Sequence, residues 1–153
     1  MANKTNETEK IKELRGATGL SFHQIKKALA EAGGDPAKAL EVLKSYGGQI
    51  AASKAARQVK EGTVAAYIHN TKKVGSLVEL LCETDFVAKN SEFQQLAYEI
   101  AMHVAAMRPA DVQELLTQLY IKDDGMTVQE HINQSIAKLG ENIQVGRFAV
   151  FVL

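Results

Sequence analysis

The side chains best suited to chemistry in this sequence are four histidines and one cysteine, and their spacing argues against an active site. His23, His69 and His131 are scattered, and His103 falls near the apolar side of a helical pattern, where a core or interface histidine is the commoner arrangement. Cys82 and His69 sit in neighbouring apolar runs, so a thiol and a base from adjacent strands form the one nucleophilic pair worth weighing. Against that pair, a buried cysteine ordinarily behaves as a small hydrophobe. The spacings GxxxxGKS, GxGxxG, HExxH, CxxC and GxSxG do not occur, which removes phosphate loops, dinucleotide fingerprints, zinc sites and a hydrolase elbow. The expectation is a protein that is not an enzyme and needs no cofactor or metal.

A different kind of chemistry is open to CETDFVAKN, residues 82–90. The apolar run VGSLVELL gives way to Cys82 and Glu83, and Phe86 then stands inside a polar turn between Asp85 and Val87. A turn between a strand and a helix holds its side chains outward on a firm scaffold. One reading folds Phe86 back as a staple against Val87 or Phe93. The other makes it an anchor, because a ring offers a large apolar area for few rotatable bonds and dominates binding when a partner supplies a pocket. Asp85 would then accept hydrogen bonds at the pocket's rim.

The elements that must position this turn are well punctuated. Asn6 with Glu9 and Ser21 with Gln24 fit capping boxes, and Asp35 before Pro36 is a third helix start. Gly19, Gly33 with Gly34, and Gly47 with Gly48 supply stops. Ile11 and Leu14, then Phe22, Ile25, Leu29 and Ala32, then Leu40, Leu43 and Tyr46 recur at helical spacing and predict a three-helix module over residues 1–48. Residues 49–61 read as a linker helix with Lys54, Arg57 and Lys60 near one another on one side, either a solvated face or a basic contact surface.

From Gly62 onward the period changes. TVAAYIH and VGSLVELLCE predict a hairpin closed by NTKK, and NIQVGRFAVFVL predicts a third strand. Between them, Phe93, Leu96, Ile100, Val104 and Met107 mark a helix ended by Arg108 and Pro109; Asp111 with Glu114 and Thr127 with Glu130 open two more, the last ended by Gly140. Residues 62–153 therefore read as a small domain, and the fold class as α+β with an antiparallel three-stranded sheet. Alternation puts Val78, Leu80 and Cys82 on one face of the second strand and Leu77 and Leu81 on the other; in the last strand it sets Ile143, Val145, Ala149 and Phe151 opposite Phe148, Val150 and Val152. A sheet apolar on both faces needs cover on both, from its own helices or from a second copy in a homodimer through the sheet face.

Eighteen basic against eighteen acidic residues give formal neutrality, so attraction to nucleic acid or an anionic membrane does not organise the chain. One cysteine, no apolar h-region in MANKTNETEK and no membrane-length apolar run lead to the expectation of a cytoplasmic protein without direct nucleic-acid or membrane contact.

TDFVAKN after the run ending in CE, preceded by LRGATGLSFHQIKKALAEAGGDPAKALEVL and accompanied by KAARQVKEG, AMHVAAMRP and IAKLGENIQVGRF, closely resembles the bacterial elongation factor Ts family across nearly the whole chain. The resemblance implies a guanine nucleotide exchange factor for elongation factor Tu. It further implies that the first module is a ubiquitin-associated-like bundle docking on the GTPase domain. Asp85 and Phe86 would be pushed between helices of that domain beside its magnesium site, with Thr84, Val87 and Ala88 shaping the turn. Phe22 and His23 stand where the family commonly carries the methionines of GAGMMD, and His103 lies in a family block; these join the expected partner contacts. A long helical insertion common in the family is absent between Pro109 and Met126, and QVGRF stands where paired arginines are frequent. The alternatives are a peptide-binding adaptor using Phe22 and the Gly19–Leu20 loop, and a nucleic-acid accessory using Lys54, Arg57 and Lys60.

Overall fold

The computed structural model describes residues 2–153, with side chains described from Asn6 onward. Helices α1 (Ala2–Thr18), α2 (Phe22–Glu31) and α3 (Pro36–Lys54) come first, followed by strands β1 (Glu61–Ile68) and β2 (Val74–Cys82). A single helical turn, α4 (Asp85–Ala88), leads into α5 (Ser91–Met107) and α6 (Val112–Thr117). A short pair, β3 (Leu119–Tyr120) and β4 (Asp123–Thr127), precedes α7 (Val128–Leu139) and the last strand, β5 (Gln144–Val152).

The capping signals at Ser21, Asp35, Asp111 and Thr127 operate as read, each side-chain oxygen accepting from a backbone N–H of the first turn. Asn6 does not cap a helix, because α1 already runs through it from Ala2. Gly47 and Gly48 do not stop α3, which continues to Lys54. Each glycine costs a helix interior about 1 kcal/mol, but Gly47 is buried against α7, and a Cβ there would lie 3.8 Å from the Asn133 carbonyl oxygen. Packing of α3 along α7 offsets that cost. The cations Lys54, Arg57 and Lys60 consequently share no helix face: Lys54 ends α3, the Arg57 side chain reaches Glu83, and the Lys60 backbone N–H donates to the Cys82 carbonyl.

Two apolar clusters form. The first joins Ile11, Leu14, Leu20, Ile25, Leu29 and Leu43 from the N-terminal helices, with Ala137 of α7 packed against it. Phe22 is no part of this core, being 55% exposed, whereas Leu20 and Ala28 are buried in it. The second cluster is built on Phe93, Leu96, Ile100 and Val104 of α5 against Val78, Leu80 and Cys82 of β2, with Ile132 and Ile136 of α7. Met107, read as part of that stripe, is exposed. The Lys138 side chain lies across Gly19, whose positive φ forms the turn between α1 and α2, and a Cβ there would fall 2.5 Å from it.

The main sheet is antiparallel in the order β1-β2-β5. Its helices pack on one face, leaving Val64, Ile68, Leu77 and Phe151 exposed on the other. Strict alternation along β5 fails. Val78 pairs with Phe148 but Leu80 pairs with Val145, so β5 carries one extra residue in a bulge at Gly146 and Arg147. Val145 therefore shares the core face with Phe148 and Val150, and Ala149 and Phe151 point outward. Glu79 stabilises the bulge: its carboxylate accepts from the Arg147 backbone N–H at 2.9 Å and from the guanidinium, and the side-chain bond from Arg147 holds its pKa down at about 2. The β3–β4 pair was not expected from the sequence, since Leu119 and Tyr120 are too short a run to show a period.

Two glycine substitutions check this packing. Gly62→Ala would put a Cβ 2.3 Å from the Leu80 carbonyl oxygen, and the urea midpoint should fall by the equivalent of about 1–3 kcal/mol. Gly48→Ala meets nothing within 4 Å and should raise it by about 0.5–1 kcal/mol.

Candidate functional site

The turn at residues 84–88 grows from the end of β2. Thr84 is the N-cap of α4, its hydroxyl accepting from the Val87 backbone N–H at 3.4 Å. Asp85 and Phe86 follow on the outer side of this single turn, and Val87 and Ala88 on the inner side, packed on the cluster beneath the sheet. Phe86 is 83% exposed, so the ring is not folded back as a staple; Val87 takes the inward position. Asp85 pairs with Lys89 at 2.9 Å, and the hydrogen bond from that ammonium holds its carboxyl below the usual aspartate range. Both groups are well exposed, so a partner's donor can replace Lys89 at small cost.

The base of the turn is fastened at several points. The Glu141 carboxylate accepts from the backbone N–H groups of Glu83 and Thr84, both at 3.0 Å, and from the Thr84 hydroxyl at 2.5 Å. The neighbouring Asn142 is buried; its backbone N–H donates to Glu83 at 2.7 Å and its side-chain amide to the Arg57 carbonyl at 2.8 Å. The Gln94 amide donates to the Ala88 carbonyl at the far end. None of these three partners was picked out among the candidate residues. Glu141 and Asn142 lie in the GENI block quoted above, yet no local spacing links them to a turn almost sixty residues earlier.

Phe22 and His23 open α2, whose buried residues belong to the other cluster, and both side chains are exposed. The structure therefore presents them on the N-terminal helices and does not gather them with residues 84–88 into one cluster. His103 follows the core reading of its helical position and not the partner contact that the resemblance implies. It is completely buried, so direct contact with a partner is closed to it in this fold. The Ile121 backbone N–H donates to its Nδ1 at 3.2 Å, and its Nε2–H donates to the Gln118 side-chain oxygen at 2.9 Å. Burial lowers its pKa, favouring the neutral ring these bonds require. Its work is to fasten the β3–β4 pair to α5, beside Tyr120, which stacks in turn on His131 at 4.3 Å.

The thiol–base pair does not form. Cys82 stands opposite Glu61 at one end of the hairpin, while His69 follows β1 at the other, roughly 25 Å away at the strand rise. Burial, and secondarily the charge of Glu141, pushes the Cys82 thiol up to about 11, and it donates to the Thr84 carbonyl. Among the described residues, no group of three or more histidine, cysteine, aspartate or glutamate side chains could hold a metal ion, and no helix is long and apolar enough to cross a membrane. The candidate site is thus a surface: an aromatic ring and a carboxylate standing out from a braced turn.

The family profile described as Elongation factor TS matches residues 83–153, beginning at the base of that turn. The chain is 40% identical to the elongation factor Ts of Fervidobacterium nodosum, over 90% of this chain and 93% of the relative. It is 39% identical to that of Thermosipho melanesiensis, over 94% of this chain and 96% of the relative. With the Anaeromyxobacter dehalogenans protein the identity is 41%, over 94% and 86% respectively. The first alignment extends over 183 residues, more than the 153 available here, so the relative carries residues this chain lacks. Identity at this level over nearly the full length of both partners makes the chain a member of the elongation factor Ts family.

Proposed function

We propose that this protein is a guanine nucleotide exchange factor that promotes GDP release from elongation factor Tu during translation elongation, by inserting the 84–88 turn near the GTPase's magnesium site. The observation that carries the reading is Phe86, 83% exposed on a turn whose backbone is held by neighbouring elements. A large exposed ring that packs on nothing of its own is costly to present to water, and it suits a pocket on another molecule.

The physics of exchange needs no catalytic base. A GTPase holds its nucleotide through backbone donors and a lysine on the phosphates and through Mg²⁺ bridging phosphate oxygens to protein ligands. Displacing those groups slightly forfeits several charge-assisted contacts at once. A protein that binds better to the displaced, empty state weakens nucleotide by the factor by which nucleotide weakens it. A coupling of about 4 kcal/mol corresponds to roughly a thousandfold change in affinity. On this reading Phe86 and Asp85 make the contacts specific to the empty state. The N-terminal helices, through Phe22 and His23, add binding common to both states. The division into an N-terminal module and a core domain fits that separation of tasks.

A second copy of the chain fits the bare face of the sheet. Val64, Ile68, Leu77 and Phe151 are between 46% and 71% exposed there, and a two-fold dimer needs only one such self-complementary patch. The peptide-adaptor alternative rests on the exposure of Phe22 and leaves Phe86 idle.

Three measurements test these statements. With fluorescent GDP on elongation factor Tu, Phe86→Ala should slow factor-stimulated release at least thirtyfold, the equivalent of about 2 kcal/mol for a binding anchor. Phe22→Ala should instead raise the factor concentration needed for half-maximal release; release that tracks Phe22 and ignores Phe86 would favour the adaptor. Equilibrium sedimentation should find a dimer at micromolar concentration that Phe151→Glu dissociates, and a monomeric wild type removes the dimer.

A further inference from the structure

Resting on the exchange reading, we propose that Glu141 is a positioning residue for nucleotide exchange: its carboxylate sets the direction in which the Phe86 ring projects. Phe86 makes little packing contact of its own, so its aim depends on the backbone from which it rises. That backbone is fixed at Glu83 and Thr84, immediately before the turn. Both N–H groups converge on one Glu141 oxygen at 3.0 Å, and the Thr84 hydroxyl binds the other at 2.5 Å. Thr84 then caps α4 through the Val87 N–H, so the route from the carboxylate to the turn that carries Phe86 passes through one residue. Bonds to a carboxylate are shorter and about twice as strong as neutral ones, which suits a brace that must resist the partner's push.

The Glu141 anchorage is itself held. Its neighbour Asn142 is buried and donates to Glu83 and to the Arg57 and Ala55 carbonyls just after α3. Arg57 closes the ring, 3.6 Å from Glu83. The loop after α7 therefore grips both the root of the turn and the segment leaving the N-terminal helices. The carboxylate accepts three hydrogen bonds within the chain, so on this proposal it acts through the turn and not by meeting the GTPase.

The test uses the full chain and follows GDP release from elongation factor Tu as a function of factor concentration. Glu141→Ala removes the acceptor, and Glu141→Asp keeps the charge but withdraws it by one methylene. Glu141→Gln keeps the reach, with its carbonyl for the two N–H groups and its amide for the Thr84 hydroxyl. Ala and Asp should each lower the saturating release rate about tenfold with little change in the half-saturating concentration, while Gln stays within about threefold of wild type. In a Phe86→Ala background, Glu141→Ala should add nothing, because the two changes act through one ring. If the Ala variant fails to melt cooperatively, the Asp and Gln pair carries the comparison. A loss that persists undiminished in the Phe86→Ala background overturns the proposal, as does wild-type release by Ala and Asp when Phe86→Ala is slow. Wild-type release by Phe86→Ala would instead strike the exchange reading, and this inference with it.

Discussion

One carboxylate accepting from two successive backbone N–H groups is the constraint on which the candidate site depends. Glu141 follows α7, Glu83 and Thr84 follow β2, and their union brings together parts of the chain 57 residues apart. Without it the strand would end in a loop with two unpaired donors, and a loop does not aim a ring. Cys82 lies under the same carboxylate, and both burial and that negative charge oppose its ionisation.

The remainder of the fold can be understood as support for this point. α5 lies across β1 and β2, and Val87 and Ala88 rest on the cluster these three elements form. α7 leads into Glu141 and Asn142 and also packs along α3, with Gly47 buried at that contact. Because α3 runs unbroken to Lys54, the N-terminal helices are joined to the core by a packed helix, with Ala51 buried in the core cluster and Ala137 against the other. His103, which the family resemblance drew toward the partner surface, is another internal fastener. It holds the β3–β4 pair through two ring nitrogens that each have a fixed hydrogen-bond role.

Much of this was legible beforehand. Caps such as Ser21 with Gln24 and Thr127 with Glu130 are contained within four residues and act through local backbone donors, so they survive into the fold unchanged. The helical stripes of α2 and α5 and the antiparallel order of β1 and β2 follow from periodicities over short windows. The misreadings share a different character. Gly47 and Gly48 look like a stop until a neighbouring helix is present to reward continuing, and alternation along β5 holds only until a bulge inserts a residue. Phe22 and Met107 carry the right period for a core, but each lies at an end of its helix and stays exposed.

Local patterns specify the α+β class, the helix starts at Ser21, Asp35, Asp111 and Thr127 and the three main strands, because each rests on near neighbours in the chain, while residue type, place in the turn and the family resemblance single out Asp85 and Phe86. Three features come from the folded chain: the Phe86 ring stands in water while Val87 turns inward, His103 finds its two partners at Gln118 and Ile121, and Glu141 and Asn142 grip the turn. Those outcomes depend on contacts between distant segments, and burial is a property of what the whole chain places around a side chain. No window of local spacing contains that information.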